Sequence, residues 1–178
     1  MLPDKTNPKY RDKITTEFGT EGILLDLGVG NRKHYKGSVG IDIRDYPDVD
    51  IICDATKLIP LPDNSVTQVY SYHTIEHIPQ GAYGGLYREI WRVCAPGTKL
   101  DWWFPYWTHE TSIVPGHVTM LNERIFSGGM FQDLFKTISI DYTYEDEFKD
   151  LPQKDKDFAR RHYMNSVKEM RIQFSVRK

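Results

Sequence analysis

The chain has 178 residues, 39% of them apolar, with 23 basic and 25 acidic side chains for a net charge of −2. That length fits one domain around one core, and the near balance of charge argues against a protein whose main task is gripping nucleic-acid phosphates. No apolar run approaches the ~20 residues of a membrane helix, and the start, MLPDKTNPKYRDK, has no apolar stretch of a secretory signal. Only two cysteines occur, Cys53 and Cys94, outside any CxxC pair, which argues against a disulfide scaffold and a cysteine zinc site. The expectation is a soluble, cytoplasmic domain over residues 21–178, monomeric or homodimeric, with no membrane contact. A polar arm over residues 1–20, with a short helix from Lys9 to Phe18, precedes it.

In chain order, Ile23-Leu24-Leu25-Asp26-Leu27 is an apolar run stopped by Gly28-Val29-Gly30. Such a run reads as a strand buried on both faces, the kind found in parallel sheets. Ser38 to Ile43 and Val49 to Asp54 read as the second and third strands, each reaching an acid near its end. Val66 to Tyr72 follows the turn signal Pro62-Asp63-Asn64-Ser65 and reads as a fourth.

Pro79 opens a helical pattern in which Tyr83, Leu86, Tyr87, Ile90 and Val93 share one face. It stops before Ala95-Pro96-Gly97, and Gly84 and Gly85 inside it each cost roughly 1 kcal/mol against Ala. Thr98 to Phe104 is a fifth strand closed by Pro105. Residues 105–121 read as a long loop, and Asn122 to Phe135 as a loose helix interrupted by Gly128-Gly129. Ile138, Ile140, Tyr142 and Tyr144 alternate with polar residues, as do Met170, Ile172, Phe174 and Val176. These two segments predict a half-exposed antiparallel pair at one side of the sheet, with a polar helix around Asp155 to Met164 between them. Together the elements predict an α/β fold whose ligands sit beyond the carboxyl ends of the strands.

The acids and glycines lie at those ends. Two glycines after a buried strand let the backbone approach a ligand, and Asp26 before them can accept from a ligand ammonium or from loop amides. Asp42 suits the two hydroxyls of a ribose, and Asp54 an adenine amino group. Each acid alone is a solvated strand end; three beside one GxG are harder to explain that way. A dinucleotide site is disfavoured: the GxGxxG fingerprint needs glycine where Lys33 stands, and Asn31 to Gly37 is too short for the crossover helix that would face a pyrophosphate.

Leu24 to Gly30, Val39-Gly40-Ile41-Asp42, Cys53-Asp54-Ala55, Leu61 to Ser65, Ser71 to Ile78 and Glu89 to Gly97 resemble, in this order, the motifs of class I S-adenosylmethionine-dependent methyltransferases, and most closely the small type 11 group. The resemblance runs from about residue 23 to 104. It implies a Rossmann-like class I methyltransferase sheet, mostly parallel with an antiparallel terminal strand pair and a shortened first crossover. It implies S-adenosylmethionine as cofactor, with Asp26, Gly28 and Gly30 at its methionine part, Asp42 at the ribose hydroxyls, Ile43 as a further cofactor-binding residue, Asp54 and Ala55 at the adenine, and Ser71, Tyr72 and His73 as the floor beside the sulfonium. The chain departs from the family pattern at Arg32, where a third glycine is usual, and at Thr67, where an acid is usual.

Transfer to a hydroxyl acceptor needs a base, and histidine suits that task near neutral pH. His73, His77, His109 and His117 fall where the family has its active-site mouth, His73 being the strongest candidate and His77 an equal candidate for fixing a loop. Trp102 and Phe104 alternate onto one face and into the core, whereas Tyr106 and Trp107, past Pro105, are candidates to touch substrate. His73-x-x-Glu76-His77 also resembles the Glu-x-x-Glu-His metal motif of ubiquinone-biosynthesis and small-RNA 3′-end methyltransferases, with His117 as a later ligand. The first Glu is replaced and a fourth oxygen ligand is lacking, so no metal is expected. The function expected is methyl transfer to a small-molecule oxygen or nitrogen acceptor. The alternatives are a non-catalytic or partner-dependent protein of the same fold, and a nucleic-acid methyltransferase using Arg160, Arg161, Lys168 and Arg171.

Overall fold

The computed structural model describes residues 22–178; the expected arm and its Lys9–Phe18 helix lie outside them. Seven strands form one sheet: β1 (Ile23–Leu27), β2 (Val39–Asp42), β3 (Ile51–Ile52), β4 (Val66–Tyr72), β5 (Cys94–Pro105), β6 (Phe135–Tyr144) and β7 (Val167–Val176). Their order is β3-β2-β1-β4-β5-β7-β6. The pairs from β3 to β5 are parallel, and β7 is antiparallel to both β5 and β6. The mostly parallel sheet with its antiparallel terminal pair is the fold expected from the sequence, down to the absence of a helix between β1 and β2.

The α-helices are α1 (Tyr83–Val93), α2 (Gly129–Leu134) and α3 (Gln153–His162). Pro79 starts a 3-10 turn, Gln80–Ala82, that runs straight into α1. Its buried stripe, Tyr83, Leu86, Tyr87, Ile90 and Val93, is the one the spacing predicts. Gly85 has a packing reason: a Cβ there would strike the backbone carbonyl of Thr56, so the helix lies closer to the loop after β3 than any other residue permits. Arg92 pins the same helix to the segment before β4. It donates to the carbonyls of Ile59 (2.7 Å) and Leu61 (3.1 Å) and pairs with Glu89 and Asp63. Burial works to raise the Glu89 pKa, but the Arg92 hydrogen bonds and the Ile59 amide outweigh it and hold the carboxylate below its ordinary range.

Several boundaries differ from expectation. β3 shrinks from the expected Val49–Asp54 to Ile51–Ile52. β5 begins at Cys94, not at Thr98, and runs through Ala95-Pro96-Gly97, read from the sequence as the stop of the preceding helix. The register jumps there, from Val66–Cys94 to Gln68–Lys99, so the Pro-Gly pair forms a bulge with Gly97 at φ +75°. The segment from Asn122 to Phe135 is not one helix. It is a 3-10 turn, Glu123–Phe126, then α2, and Phe135 already belongs to β6. Gly128 and Gly129 break it, as glycines in a weak helix do.

One face of the sheet carries the core. Trp102, Phe104, Phe126, Phe131, Phe135 and Phe174 are buried there against one another, with Trp102 and Phe174 edge to face at 4.8 Å. The opposite-facing residues of β5 and β7 are only half-buried, and they bond among themselves. Arg171 pairs with Asp101 at 2.6 Å and lies over the Trp103 ring at 4.9 Å. No helix among the described residues is long and apolar enough to cross a membrane. Both cysteines are free thiols, and burial pushes that of Cys94 up to about 12.

Candidate functional site

A cavity of about 760 Å³ opens at the carboxyl ends of β1 and β2, within the size range of small-molecule sites. Its lining includes Gly28, Gly30, Asp42, Ile43, Asp54, Ala55, His73 and His77 among the expected residues, and also Leu27, Arg44, Tyr46, Thr74, Pro79, Ala82, Pro115 and Gly116. Strand ends at the reversal of strand order supply most of it, as the general rule for open α/β sheets requires.

The turn after β1 explains its glycines. Gly28 (φ +70°) and Gly30 (φ +58°) take backbone that L side chains avoid. A Cβ on Gly28 would overlap the Thr74 side chain, whose hydroxyl donates to the Leu27 carbonyl at 3.1 Å. Beside Gly30 the space is open. The amide of Gly30 donates to Oδ2 of Asp42 at 3.1 Å, and that of Arg44 to Oδ1 at 2.9 Å. Asp42 therefore ties the turn to β2 and keeps a further lone pair on each oxygen.

Ile43 is 62% exposed and presents an apolar face beside that carboxylate. Asp54 closes a short turn: its Oδ1 accepts from the amide and hydroxyl of Thr56, and its Oδ2 pairs with Lys57 at 3.0 Å. Burial opposes these bonds, yet they hold Asp54 below the usual carboxylate range.

Other expected residues lie behind the wall. Asp26 is fully buried and accepts from the His34 amide at 2.8 Å, so it serves the loop amides rather than the cavity. Ser71 is buried and donates to the Leu27 carbonyl at 3.2 Å. Tyr72 turns outward and donates to Glu169 at 2.9 Å; burial, then that carboxylate, raises its pKa to about 12. Neither residue lines the cavity.

His73 has φ +50°, uncommon for a residue with a side chain. Its Nε2 is 2.7 Å from Oε1 of Glu169 on β7, and its Nδ1 is 3.4 Å from Oε1 of Glu76. The His73 hydrogen bond is the chief reason the Glu169 pKa is lowered. Glu169 has no signature in the sequence, because nothing local marks a residue 96 positions away as a partner.

The 105–121 segment is a closed excursion, not an open loop. Tyr106 bridges Leu121, and the Trp107 amide donates to the Leu121 carbonyl at 3.0 Å. It folds over the loop after β4, where the amides of Val118 and Thr119 donate to the Glu76 carbonyl at 2.9 and 3.1 Å. Pro115 and Gly116 thereby reach the cavity.

None of its four expected functional residues, Tyr106, Trp107, His109 and His117, lines the cavity. Tyr106 is buried and bonded to Glu123 and Arg160, with Tyr142 on the same carboxylate. Trp107 is exposed away from the lining. His109 is buried; its Nδ1 accepts from the Thr111 amide at 3.2 Å and its Nε2 donates to Glu145 at 2.8 Å.

His117 is brought inward instead, its Nε2 3.9 Å from Oε1 of Glu76 and its ring 4.7 Å from that of His77. Burial, and then the neighbouring imidazoles, lower its pKa. Burial raises that of Glu76.

Residues 25–100 match the family model described as a methyltransferase domain, type 11. No curated protein matches the chain. Among solved structures, a S-adenosylmethionine-dependent methyltransferase from Archaeoglobus fulgidus superposes with a TM-score of 0.64 at 16% identity, over 94% of this chain and 91% of that one. Geranyl diphosphate C-methyltransferase from Streptomyces coelicolor, solved with Mg2+, geranyl diphosphate and S-adenosyl-L-homocysteine, gives 0.58 at 13% identity, over 94% and 78%. Phosphoethanolamine N-methyltransferase 2 from Haemonchus contortus, solved with S-adenosyl-L-methionine, gives 0.55 at 16%, over 96% of this chain and 52% of that one. Residues 25–100 thus match a methyltransferase-domain model, and the described residues carry the fold of class I S-adenosylmethionine-dependent methyltransferases.

Proposed function

We propose that this chain binds S-adenosylmethionine in the cavity beside β1 and β2 and transfers its methyl group to an oxygen or nitrogen of a small-molecule acceptor. The observation that carries the reading is the convergence of Gly28, Gly30, Asp42, Asp54, Ala55 and His73 on one cavity, from four separate segments of the chain. The open space at Gly30 and the spare lone pairs of Asp42 fit the cofactor.

When bound, the cofactor supplies an electrophilic methyl group on a positively charged sulfur. The chain's own groups orient and deprotonate. Asp42 would accept from the ribose hydroxyls, Asp54 and Ala55 would hold the adenine, and Ile43 would cover the cofactor with its apolar face. Asp26 and Ser71 act through the turn, by holding it. With Nε2–H donated to Glu169, the Nδ1 of His73, 3.4 Å from Oε1 of Glu76, is the nitrogen that would take a proton from an acceptor hydroxyl; a neutral amine would not need it. Methyl transfer from a sulfonium needs little more from the protein than in-line positioning, which lowers the entropic part of the barrier.

A nucleic-acid acceptor is disfavoured. Of the four cations that would form a patch, Arg160 is bonded to Glu123 and Arg171 to Asp101. A non-catalytic, partner-dependent role stays the second reading, because Tyr106 and Trp107, expected at the acceptor, do not line the cavity.

Thermal unfolding with S-adenosylmethionine and S-adenosylhomocysteine tests the first step. At ~100 times the dissociation constant, stabilisation of roughly 2.7 kcal/mol raises Tm by about 5–10 °C. No shift at millimolar ligand would overturn the cofactor reading. Binding without formation of S-adenosylhomocysteine across a broad acceptor screen would favour the second.

A further inference from the structure

Glu76 sits in the short 3-10 turn Ile75–His77 after β4, and its side chain is 1% exposed. Neither of its carboxylate oxygens makes a hydrogen bond among the described residues. A buried carboxylate without donors is costly and persists only where something else satisfies it. Nothing in the cofactor site uses it, since Glu76 does not line the cavity.

Imidazoles stand around it, His73 with Nδ1 at 3.4 Å and His117 with Nε2 at 3.9 Å from Oε1, and neither makes a hydrogen bond to it. Two ligand atoms each about 2.0–2.2 Å from one tetrahedral ion stand roughly 3.4 Å apart. Nε2 of His117 is 3.9 Å from Oε1 of Glu76, and one ligand atom from each of Glu76, His77 and His117 lies within 4.8 Å of the others.

The ring of His77 is already oriented, because its Nδ1–H donates to the Gly116 carbonyl at 2.9 Å. Metal-ligating histidines are held in this way, with the other nitrogen left as the donor. His117 makes no hydrogen bond through Nδ1. His73, which the sequence spacing would include, has Nδ1 3.4 Å from Oε1 of Glu76, but its Nε2 is held by Glu169 and it does not converge with His77 and His117 in the three-residue cluster.

We propose that Glu76, His77 and His117 bind one divalent transition-metal ion of the zinc class. Two imidazoles and one carboxylate suit such an ion better than the oxygen-preferring magnesium or calcium, and three protein ligands leave a coordination position open. The ion would couple two segments 39 residues apart, the loop after β4 and the 105–121 excursion, and His77 puts it at the cavity wall. Removing it would loosen Pro115 and Gly116 there. The inference stands apart from the cofactor reading, since none of its observations involves the cofactor.

The test uses tag-free, full-length protein, stripped with EDTA, loaded with Zn2+ or Co2+ and dialysed. The expected result is one ion per chain by elemental analysis, visible d–d absorption of the cobalt form, and no displacement by excess Mg2+. H77A and H117A should each weaken Zn2+ binding at least tenfold, while H73N should not. Tm should rise with Zn2+ and fall back with EDTA, a readout that survives if a variant fails to fold.

Stoichiometry well below one, or equal retention by wild type and by folded E76Q and H117A, would mean an adventitious ion only and overturn the proposal. S-adenosylhomocysteine titration of the stripped protein separates the two readings. A ligand-induced Tm shift without metal retention sinks only the metal site, and the reverse sinks only the cofactor site.

Discussion

Oε1 of Glu169 on β7 lies 2.7 Å from Nε2 of His73, and the Tyr72 hydroxyl reaches the same oxygen at 2.9 Å. The bond joins the antiparallel end of the sheet to the turn after β4 and holds a cavity-lining imidazole in left-handed backbone.

Its removal has a pH signature. The His73 hydrogen bond, opposed by burial and helped by Tyr72, lowers the Glu169 pKa. A carboxylate depressed in the folded state contributes stability in full above its unfolded value, ~4.3, and loses it as pH falls through the folded one. E169Q should therefore be about 1 kcal/mol less stable than wild type at pH 7. The gap should narrow as urea unfolding is repeated at progressively lower pH, below about 4. A gap independent of pH would mean the carboxylate charge is not what the bond uses.

Asp42→Ala removes a charged acceptor from the cavity and from the Gly30 amide. Hydrogen bonds to charged groups contribute about 1.5–3 kcal/mol, so affinity for S-adenosylhomocysteine should fall about 10–100-fold. Calorimetric titration reads this directly. Undiminished affinity would place the ribose elsewhere.

His109→Ala should behave in the opposite way. The ring is buried between Thr111 and Glu145 and does not line the cavity. Stability should drop by about 1–3 kcal/mol, with cofactor affinity unchanged in the folded fraction. A selective loss of affinity would assign His109 to the site after all.

Adjacent glycines of α1 should respond with opposite signs. At Gly84 a new Cβ meets only ordinary contacts with Met130 and Arg88, so G84A should gain roughly 0.5–1 kcal/mol of helix propensity. At Gly85 it would strike the Thr56 carbonyl, and G85A should lose about 1–3 kcal/mol by forcing the helix off that loop. Thermal unfolding of the two variants side by side checks the contrast.

Much of this molecule was legible without coordinates, wherever one segment carries its own signal. The apolar run Ile23–Leu27 halted by Gly28, the identical span Val66–Tyr72, the stripe of α1 and the alternation of β6 and β7 all follow from local burial periodicity. So does the missing helix after β1, since too few residues lie between β1 and β2 to form one.

Local pattern failed where contacts between distant segments set the geometry. Pro96-Gly97 follows the helix end as expected but lies inside β5 instead of before it, because pairing with β4 begins at Cys94 and resumes after the bulge. Tyr106 and His109 follow the strand end as acceptor-site residues would. The pairing of Tyr106 with Leu121 turns the chain back, however, and both end in buried polar networks. Glu169 and His117 meet the β4 turn from 96 and 41 residues away along the chain. The sequence by itself determined the sheet and the acids at its strand ends, whose signals are short-range. Only the tertiary structure decided which histidines face the cavity, because that depends on how long loops close and not on any period within them.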